Sequence, residues 1–172
     1  MAGRGSFYYD VFFSFRGEDT RLGFTGNLYS ALSQRGIHSF FDDKEIRKGD
    51  EITPSLVKAI KESKIAIIVF SQNYAFSSFC LDELSTILEC YEESKGQLVL
   101  PVFFNVDPSD VRHCRGKYGQ ALENLEERFK GNKEKLNKWR VALHKAASIA
   151  GFTFKNGYIC YLYLLISFCL SC

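Results

Sequence analysis

Two segments of this chain place polar side chains directly after apolar runs. The run 12–15 is followed by Arg16 and Gly17, and the run 65–70 is followed by a segment that carries Glu83. If both runs are strands of one parallel sheet, these polar groups gather at its carboxyl edge, where open α/β folds bind ligands. The sequence therefore predicts a site as well as a fold.

Glu83 is the strongest candidate for chemistry. Its carboxylate falls in the first turns of a predicted helix, beside the edge where the two strands end. There it could hold a ribose hydroxyl, or stabilise an oxocarbenium ion while a glycosidic bond breaks. The alternative is a solvated acid favoured by the helix dipole, and the residues alone favour that alternative. Asp82 is a weaker candidate of the same kind.

Other candidate residues flank the same edge, and each has a plainer alternative. Arg16 could bind a phosphate, or it could form a surface salt bridge with Glu18 or Asp19. Ser77 and Phe79 could offer a hydroxyl and a stacking face, or they could be a turn residue and a core residue.

A charged, glycine-containing loop spans 42–52 and includes Arg47 and Lys48. It could close over a ligand or dock on another copy of the protein, or it could be a solvated loop. Cys80 precedes the helix of Glu83 and could be activated by its dipole, although a small buried hydrophobe is the simpler interpretation.

The elements that would position these residues alternate along the chain. We predict strands at 8–15, 37–41, 64–70 and 98–104. Helices are predicted from 19 or 20 to 35, from Thr53-Pro54 onward, and at 81–94, 118–129 and 133–150. A turn-rich loop is predicted at 105–112. This alternation predicts an α/β fold, a doubly wound parallel sheet of four or five strands with helices on both faces. The flavodoxin-like order 2-1-3-4-5 fits, and it places the switch point between strands one and three.

Composition and missing motifs argue against several classes of function. A chain of 172 residues is one domain by length, and its net charge of +2 is too small to indicate nucleic-acid binding. The six Cys and three His lack zinc-ligand spacing, so no metal site is predicted. The motifs GxGxxG, GxxxxGKS/T and GxSxG are absent, and Phe70-Ser71 stands where a phosphoryl-receiver domain needs an aspartate. The short polar start carries no secretory signal, which favours an intracellular, reduced protein.

Four motifs, in order, resemble the plant Toll/interleukin-1 receptor (TIR) domains. They are YDVFFSFRGEDTR, FDDKEIRKGDEI, SQNYAFSSFCLDEL and LPVFFNVDPSDVR. The resemblance covers about 8–154, which leaves 1–7 as a flexible N-terminus and 155–172 as an apolar tail. It implies a flavodoxin-like sheet of five parallel strands. It also implies a role in intracellular immune receptors, in the cytoplasm or, as the alternative, in the nucleus.

The resemblance also implies an activity. Plant members are similar to NAD-cleaving enzymes that hydrolyse the nicotinamide–ribose bond and release ADP-ribose-type signals, and some also act on nucleic acid. NAD would then be the substrate, with no separate cofactor. The family pattern places the essential glutamate on Glu83 and the substrate-binding residues on Arg16, Gly17, Asp43, Arg47, Ser77 and Phe79. Phe79 replaces the usual Trp and keeps an aromatic face.

Activity in this family depends on self-association. The resemblance places the association surfaces on Gly26, Asn27 and Ser30 of the first helix and on Lys48 and Gly49 of the loop. Gly26-Asn27 stands where many members carry a Ser-His pair in this surface. The alternative function is a non-catalytic adaptor or decoy that assembles with other TIR immune receptors.

The segment 158–172 is uncharged and apolar, and it is shorter than the roughly 20 residues that a membrane-spanning helix needs. Three interpretations are open. It is a last strand or helix packed on the domain, a membrane-associating tail acylated on Cys160 or Cys169, or the product of a truncated or alternatively spliced reading frame. We favour the third.

Overall fold

A computed structural model describes residues 7–41, 51–94, 96–155 and Ile166. At its centre is one sheet of five strands, β1 (Tyr9–Phe15), β2 (Ser39–Phe40), β3 (Ser63–Phe70), β4 (Leu98–Phe104) and β5 (Phe152–Phe154). All four pairings are parallel, and the strands lie in the order β2-β1-β3-β4-β5. The predicted flavodoxin-like order is therefore confirmed, with the switch point between β1 and β3.

Seven α-helices connect the strands in the described residues. They are α1 (Gly17–Thr20), α2 (Phe24–Ser33), α3 (Pro54–Lys61), α4 (Ser78–Glu93), α5 (Pro108–Arg112), α6 (Lys117–Arg128) and α7 (Lys133–Ala146), with a 3₁₀ helix at Tyr74–Phe76 before α4. The predicted start of α3 is confirmed. The Thr53 side chain accepts a hydrogen bond from the backbone N–H of Leu56 at 3.3 Å, and Pro54 occupies the first turn.

Alternate residues of the central strands divide between two cores, one on each face of the sheet. On β3, one set joins the core that includes α2, namely Ile65, Ile67 and Val69. The other set joins the core that includes α3, α4, α6 and α7, namely Ala66, Ile68 and Phe70. All six are at most 1% exposed, which explains why this strand is apolar almost throughout. The three-layer α/β/α architecture with helices on both faces is confirmed.

The prediction of one continuous helix from 19 or 20 to 35 is wrong. The chain forms the short α1, turns at Gly23, and then begins α2. The backbone of Gly23 has φ −132° and ψ −113°, which is not helical, and the Thr25 hydroxyl donates to that of Thr20 at 2.7 Å across the break. Only α2 carries the predicted apolar face, since Phe24, Leu28 and Leu32 are all buried.

The strand predicted at 37–41 is only Ser39–Phe40, and two further differences concern helices. The predicted loop 105–112 contains α5, because the Asp107 carboxylate accepts from the Ser109 N–H at 2.7 Å and Pro108 follows in the first turn. The last helix, α7, ends at Ala146, four residues before the predicted end. Its end is capped by Arg112, whose guanidinium donates to the Ala147 carbonyl at 2.8 and 3.3 Å.

One residue of the apolar segment 158–172 is described. Ile166 is helical and fully buried, and it belongs to the core on the α2 face. The candidate acylation sites Cys160 and Cys169 lie outside the described residues. Within the described ranges, no helix combines the length and the apolar character needed to cross a membrane.

Candidate functional site

Asp19 joins the ends of β1 and β3 at the switch point. One carboxylate oxygen accepts from the Ser71 hydroxyl at 2.5 Å and from the backbone N–H of Asn73 at 3.0 Å. The other accepts from the Asn73 side-chain amide at 3.3 Å and from Arg16 at 2.6 Å. The Ser71 carbonyl in turn accepts from the buried Tyr118 hydroxyl of α6 at 2.8 Å. Asp19 therefore fixes both loops that border the site.

The pKa of the Asp19 carboxyl reflects this environment. Burial by itself would raise its pKa, but hydrogen bonds from Ser71 and Asn73 and the nearby Arg16 charge together lower it below the usual 3.8. Asp19 is thus held ionised at the switch point. Sequence reasoning treated this residue only as a helix cap or a salt-bridge partner and missed its role in joining the loops.

Arg16 lies at the predicted edge, with its guanidinium between two carboxylates. It forms ion pairs with Glu18 and with Asp19, the latter at 2.6 Å. This is the salt-bridge arrangement considered as the alternative to phosphate binding. The Arg16 side chain is 22% exposed, and both of its terminal nitrogens are held, one by the largely exposed Glu18 and the other by the largely buried Asp19.

The start of α4 supplies the second wall of the site. The Ser77 hydroxyl oxygen accepts from the Cys80 N–H at 3.2 Å and so caps the helix. Phe79 is 8% exposed and belongs to the larger core. Beneath them, the buried Tyr74 hydroxyl donates to the Cys80 carbonyl at 3.1 Å and lies 2.9 Å from the Ser14 hydroxyl oxygen of β1. These bonds hold the start of α4 against the end of β1.

Glu83 is a buried carboxylate in the second turn of α4, only 4% exposed. The Cys80 thiol precedes it by one helical turn. Burial, followed by the negative charge of Glu83, raises the pKa of Cys80 to about 12. Activation of this thiol by the helix dipole is therefore not observed, and Cys80 is the small buried hydrophobe that we favoured. Burial, followed by the charges of Cys80 and Glu83, raises the pKa of the Tyr74 hydroxyl.

A pocket of about 910 Å³ opens at this edge of the sheet. It lies between the segment after β1, the start of α4 and one face of α6. Four predicted substrate-binding residues line it, namely Arg16, Gly17, Ser77 and Phe79. Glu83 is not among the described lining residues. Its side chain is buried one helical turn beyond the Cys80 wall.

Some lining residues were not predicted. The guanidinium of Arg21 lies over the rings of Phe15 and Phe41, at 5.1 and 5.5 Å from their centroids, and also borders the pocket. Arg21 is the last residue of the motif RGEDTR, so the sequence did contain a signal that this arginine belongs to the site. Asn124 and Arg128 of α6 form the far wall, and nothing in their local sequence indicates it.

The predicted association residues fall in two groups. Asn27 and Ser30 are exposed on α2, whereas Gly26 is partly buried. A Cβ atom on Gly26 would lie 2.1 Å from the Arg21 carbonyl oxygen, so the backbone there leaves no room for a side chain. The remaining site and association predictions lie outside the described residues, namely Asp43, Arg47, Lys48 and Gly49.

No metal centre is found in the part of the chain that the structure describes. There, no group of three or more His, Cys, Asp or Glu side chains could hold an ion.

Comparison with known proteins identifies the family. A family model described as TIR domain matches residues 8–159. The chain is 51% identical over 152 residues to disease resistance protein RUN1 of Vitis rotundifolia and 49% identical over 143 residues to TMV resistance protein N of Nicotiana glutinosa. These matches cover 87% and 83% of this chain but only 11% and 12% of the relatives, so the chain spans a small part of their length.

A solved structure agrees with these matches. The TIR domains of the activated Roq1 resistosome, which directly recognises the pathogen effector XopQ, superpose with a TM-score of 0.82 at 46% sequence identity. The match covers 95% of this chain and 98% of that one.

Proposed function

This chain belongs to the TIR domain family, in the group found in plant disease resistance proteins, and from that premise we propose that it hydrolyses NAD. In the proposed reaction, the bond between the nicotinamide nitrogen and the ribose carbon breaks, and its electron pair leaves with nicotinamide. A water oxygen then bonds to the ribose carbon and loses a proton, which gives ADP-ribose-type products. The output would serve plant immune signalling, in the cytoplasm or nucleus.

The observation that carries this proposal is the burial of Glu83 beside the switch point. A glycosidic bond of this kind breaks through an oxocarbenium-like transition state with positive charge on the sugar. A carboxylate held away from water, when it is ionised, stabilises such a charge far better than a solvated one. Because α4 fixes Glu83, little reorganisation is needed when the charge develops.

The other residues of the pocket have supporting roles. Phe79 offers an apolar face to the nicotinamide base. Ser77 places a hydroxyl at the pocket wall, and Gly17 places backbone groups there. Arg16, held by Asp19 and Glu18, is better suited to positioning the wall than to binding phosphates by itself. Asp43 and Arg47 of the charged loop are assigned to substrate by family resemblance alone.

Self-association is part of the proposal. Similarity to the TIR domains of a resistosome supports assembly of this chain through TIR–TIR contacts. We assign these contacts to the exposed face of α2 around Asn27 and Ser30, together with Lys48 and Gly49 of the loop.

A second candidate function is a non-catalytic adaptor or decoy that assembles with other TIR immune receptors. The close approach of Gly26 to the Arg21 carbonyl favours it, because the α2 surface cannot carry the Ser-His pair of many relatives without moving the backbone. A surface altered in this way would change assembly even with an intact pocket. Nucleic acid is retained as an alternative substrate only on the family resemblance.

Two assays on the full chain separate these functions. The enzyme predicts nicotinamide release from NAD by concentrated protein and loss of release in Glu83→Ala. The adaptor predicts no release, with co-precipitation of a full-length TIR receptor that survives Glu83→Ala and is lost when Asn27 and Ser30 are replaced by Arg. The adaptor function would be contradicted if Glu83→Ala abolished co-precipitation and the variant with Arg at Asn27 and Ser30 retained it.

A further inference from the structure

A second cavity lies away from the β1/β3 edge, between the turn that joins α5 to α6 and the outer face of α7. Its volume is about 580 Å³, within the range of small-molecule sites. We propose that this cavity binds a small phosphate ester with an apolar or aromatic group. The proposal does not depend on Glu83 or on NAD cleavage.

The charge of the lining is the first reason. Arg112, Arg140 and Lys145 border the cavity, and Glu123 is the only carboxylate among the described residues that line it. The lining residues by themselves carry a formal net charge of +2, and the carboxylates that pair with Arg140 and Lys145 lie outside the lining. A cavity with this charge attracts anions and repels cations.

Arg112 is preorganised for an anion. Its guanidinium is held by two hydrogen bonds to the Ala147 carbonyl, at 2.8 and 3.3 Å, and in the described residues it forms no ion pair with a carboxylate. Guanidinium groups bind phosphate oxygens in a fork geometry, and a fixed side chain loses little entropy on binding.

The other two cations can change partners at little cost. Arg140 pairs with Glu126 at 3.3 Å and Lys145 pairs with Glu92 at 2.6 Å, and all four side chains are about half exposed. Ion pairs of this kind contribute little to stability. A phosphate in the cavity can therefore recruit both cations from their surface carboxylates.

Two histidines, His113 and His144, also line the cavity. The rings of His113 and His144 lie 6.1 Å apart, and both side chains are exposed. The Nδ1 atom of His144 lies 3.3 Å from the Arg112 carbonyl oxygen, so Nδ1–H donates to that oxygen and orients the ring. Nε2 then donates to a phosphate oxygen only in the imidazolium form. No residue of the β1/β3 site takes part.

The cavity floor is apolar, which argues for an ester rather than a bare phosphate. Leu122 and Val141 line it, and Val141 is 42% exposed although apolar. Gly119 lets the start of α6 lie against the preceding turn, since a Cβ atom there would be 2.6 Å from the Cys114 carbonyl oxygen. The floor therefore offers a contact for an aromatic or aliphatic group beside the phosphate.

The three histidines of the chain provide the test. Imidazole C–H resonances are followed by NMR while the full chain is titrated with phenyl phosphate and, separately, with inorganic phosphate. We expect the resonances of His113 and His144 to shift and saturate, with tighter binding of phenyl phosphate. The His38 resonance should not move, because that residue lies beside β2. Equal movement of all three histidines, or no saturable shift, would overturn the proposal.

Matched arginine variants sharpen the result. Arg140→Gln should weaken phenyl phosphate binding about tenfold, the loss of one charge-assisted contact, whereas Arg115→Gln should bind like the unmodified chain. Arg115 is exposed on the turn between α5 and α6, which borders the cavity, but it does not line the cavity. We chose Arg140 because Arg112 also caps α7, so its replacement could alter the fold. Equal affinities of the two variants would show that binding is a general charge effect.

Discussion

The Ser71 hydroxyl donates a 2.5 Å hydrogen bond to the Asp19 carboxylate and so joins the loops that follow two neighbouring strands. Asp19 lies just after β1 and Ser71 directly after β3, 52 residues farther along the chain. The bond closes the sheet edge at the switch point, where folds of this type bind ligands. The Asp19 carboxylate therefore holds together the two loops that border the site.

Replacement of Asp19 by Asn should destabilise the protein by about 1–3 kcal/mol, because buried donors of Ser71 and Asn73 lose an ionised acceptor. Urea denaturation measures the change. Glu18→Gln is the matched control, since Glu18 also pairs with Arg16 but is 77% exposed and should alter stability by no more than about 0.5 kcal/mol. Equal effects of the two variants would refute the special role of Asp19.

The stabilisation by Asp19 should depend on pH in a defined direction. Its pKa is lower in the folded protein than the usual 3.8, so the ionised form favours folding. The stability difference between the unmodified chain and Asp19→Asn is then fully present above pH 3.8 and lost as pH falls through the folded pKa. Denaturation from about pH 6 to about pH 3 follows this loss. A difference that grows on acidification would contradict it.

Asp82 has a structural role, although it neighbours Glu83 in sequence. It accepts from the buried Trp139 indole N–H at 2.8 Å and pairs with Lys135 at 3.0 Å, which fastens α4 to α7. Asp82→Ala should cost about 1–3 kcal/mol because the indole N–H loses its partner. Asp82→Asn keeps an acceptor oxygen and should cost less. Thermal denaturation compares them, and equal losses would mean that charge rather than the hydrogen bond matters.

Gly26→Ala should destabilise the chain, although alanine normally stabilises a helix relative to glycine by about 0.5–1 kcal/mol. The new Cβ would meet the Arg21 carbonyl, so the backbone must shift at a cost of about 1–3 kcal/mol. Gly96→Ala is the control, since the nearest atom to its Cβ would be 3.9 Å away. Chemical denaturation of both variants measures the difference, and a stabilised Gly26→Ala would disprove the close approach.

Cys80 should resist alkylation in the folded protein. The residue is 2% exposed, and burial together with the Glu83 charge raises the pKa of its thiol to about 12. Since the thiolate is the reactive form, iodoacetamide at pH 8 should leave Cys80 unmodified until the protein unfolds. Peptide mapping by mass spectrometry reports the modified site. Rapid labelling of Cys80 in the native chain would show that this wall of the pocket opens.

The sequence predicts the fold well where the pattern is strong and local. The apolar run that becomes β3 and the Thr53-Pro54 start of α3 are confirmed because burial on both faces and helix capping leave clear signals. The break between α1 and α2 was not predicted. It depends on the backbone at Gly23 and on the Thr20–Thr25 hydrogen bond, which helical periodicity does not reveal.

The site is predictable only in part, because some of its contacts join residues that are distant in sequence. Motif position brings Arg16, Ser77 and Phe79 to one pocket, as expected. The link from Asp19 to Ser71 and the far wall at Arg128 depend on segments distant in sequence. Such contacts arise from the packing of α6 and the β3 loop, and composition or spacing carries no direct record of them.

Nicotinamide release from NAD, measured by chromatography with concentrated full chain, tests the central claim most directly. Glu83→Gln and Glu89→Gln are compared with the unmodified protein. Glu89 lies on the same helix but is 55% exposed and pairs with Lys138, so it controls for loss of a helix charge. The account predicts release by the unmodified chain and Glu89→Gln, with a loss of about 100-fold or more in Glu83→Gln. Equal release by the unmodified chain and Glu83→Gln would contradict it.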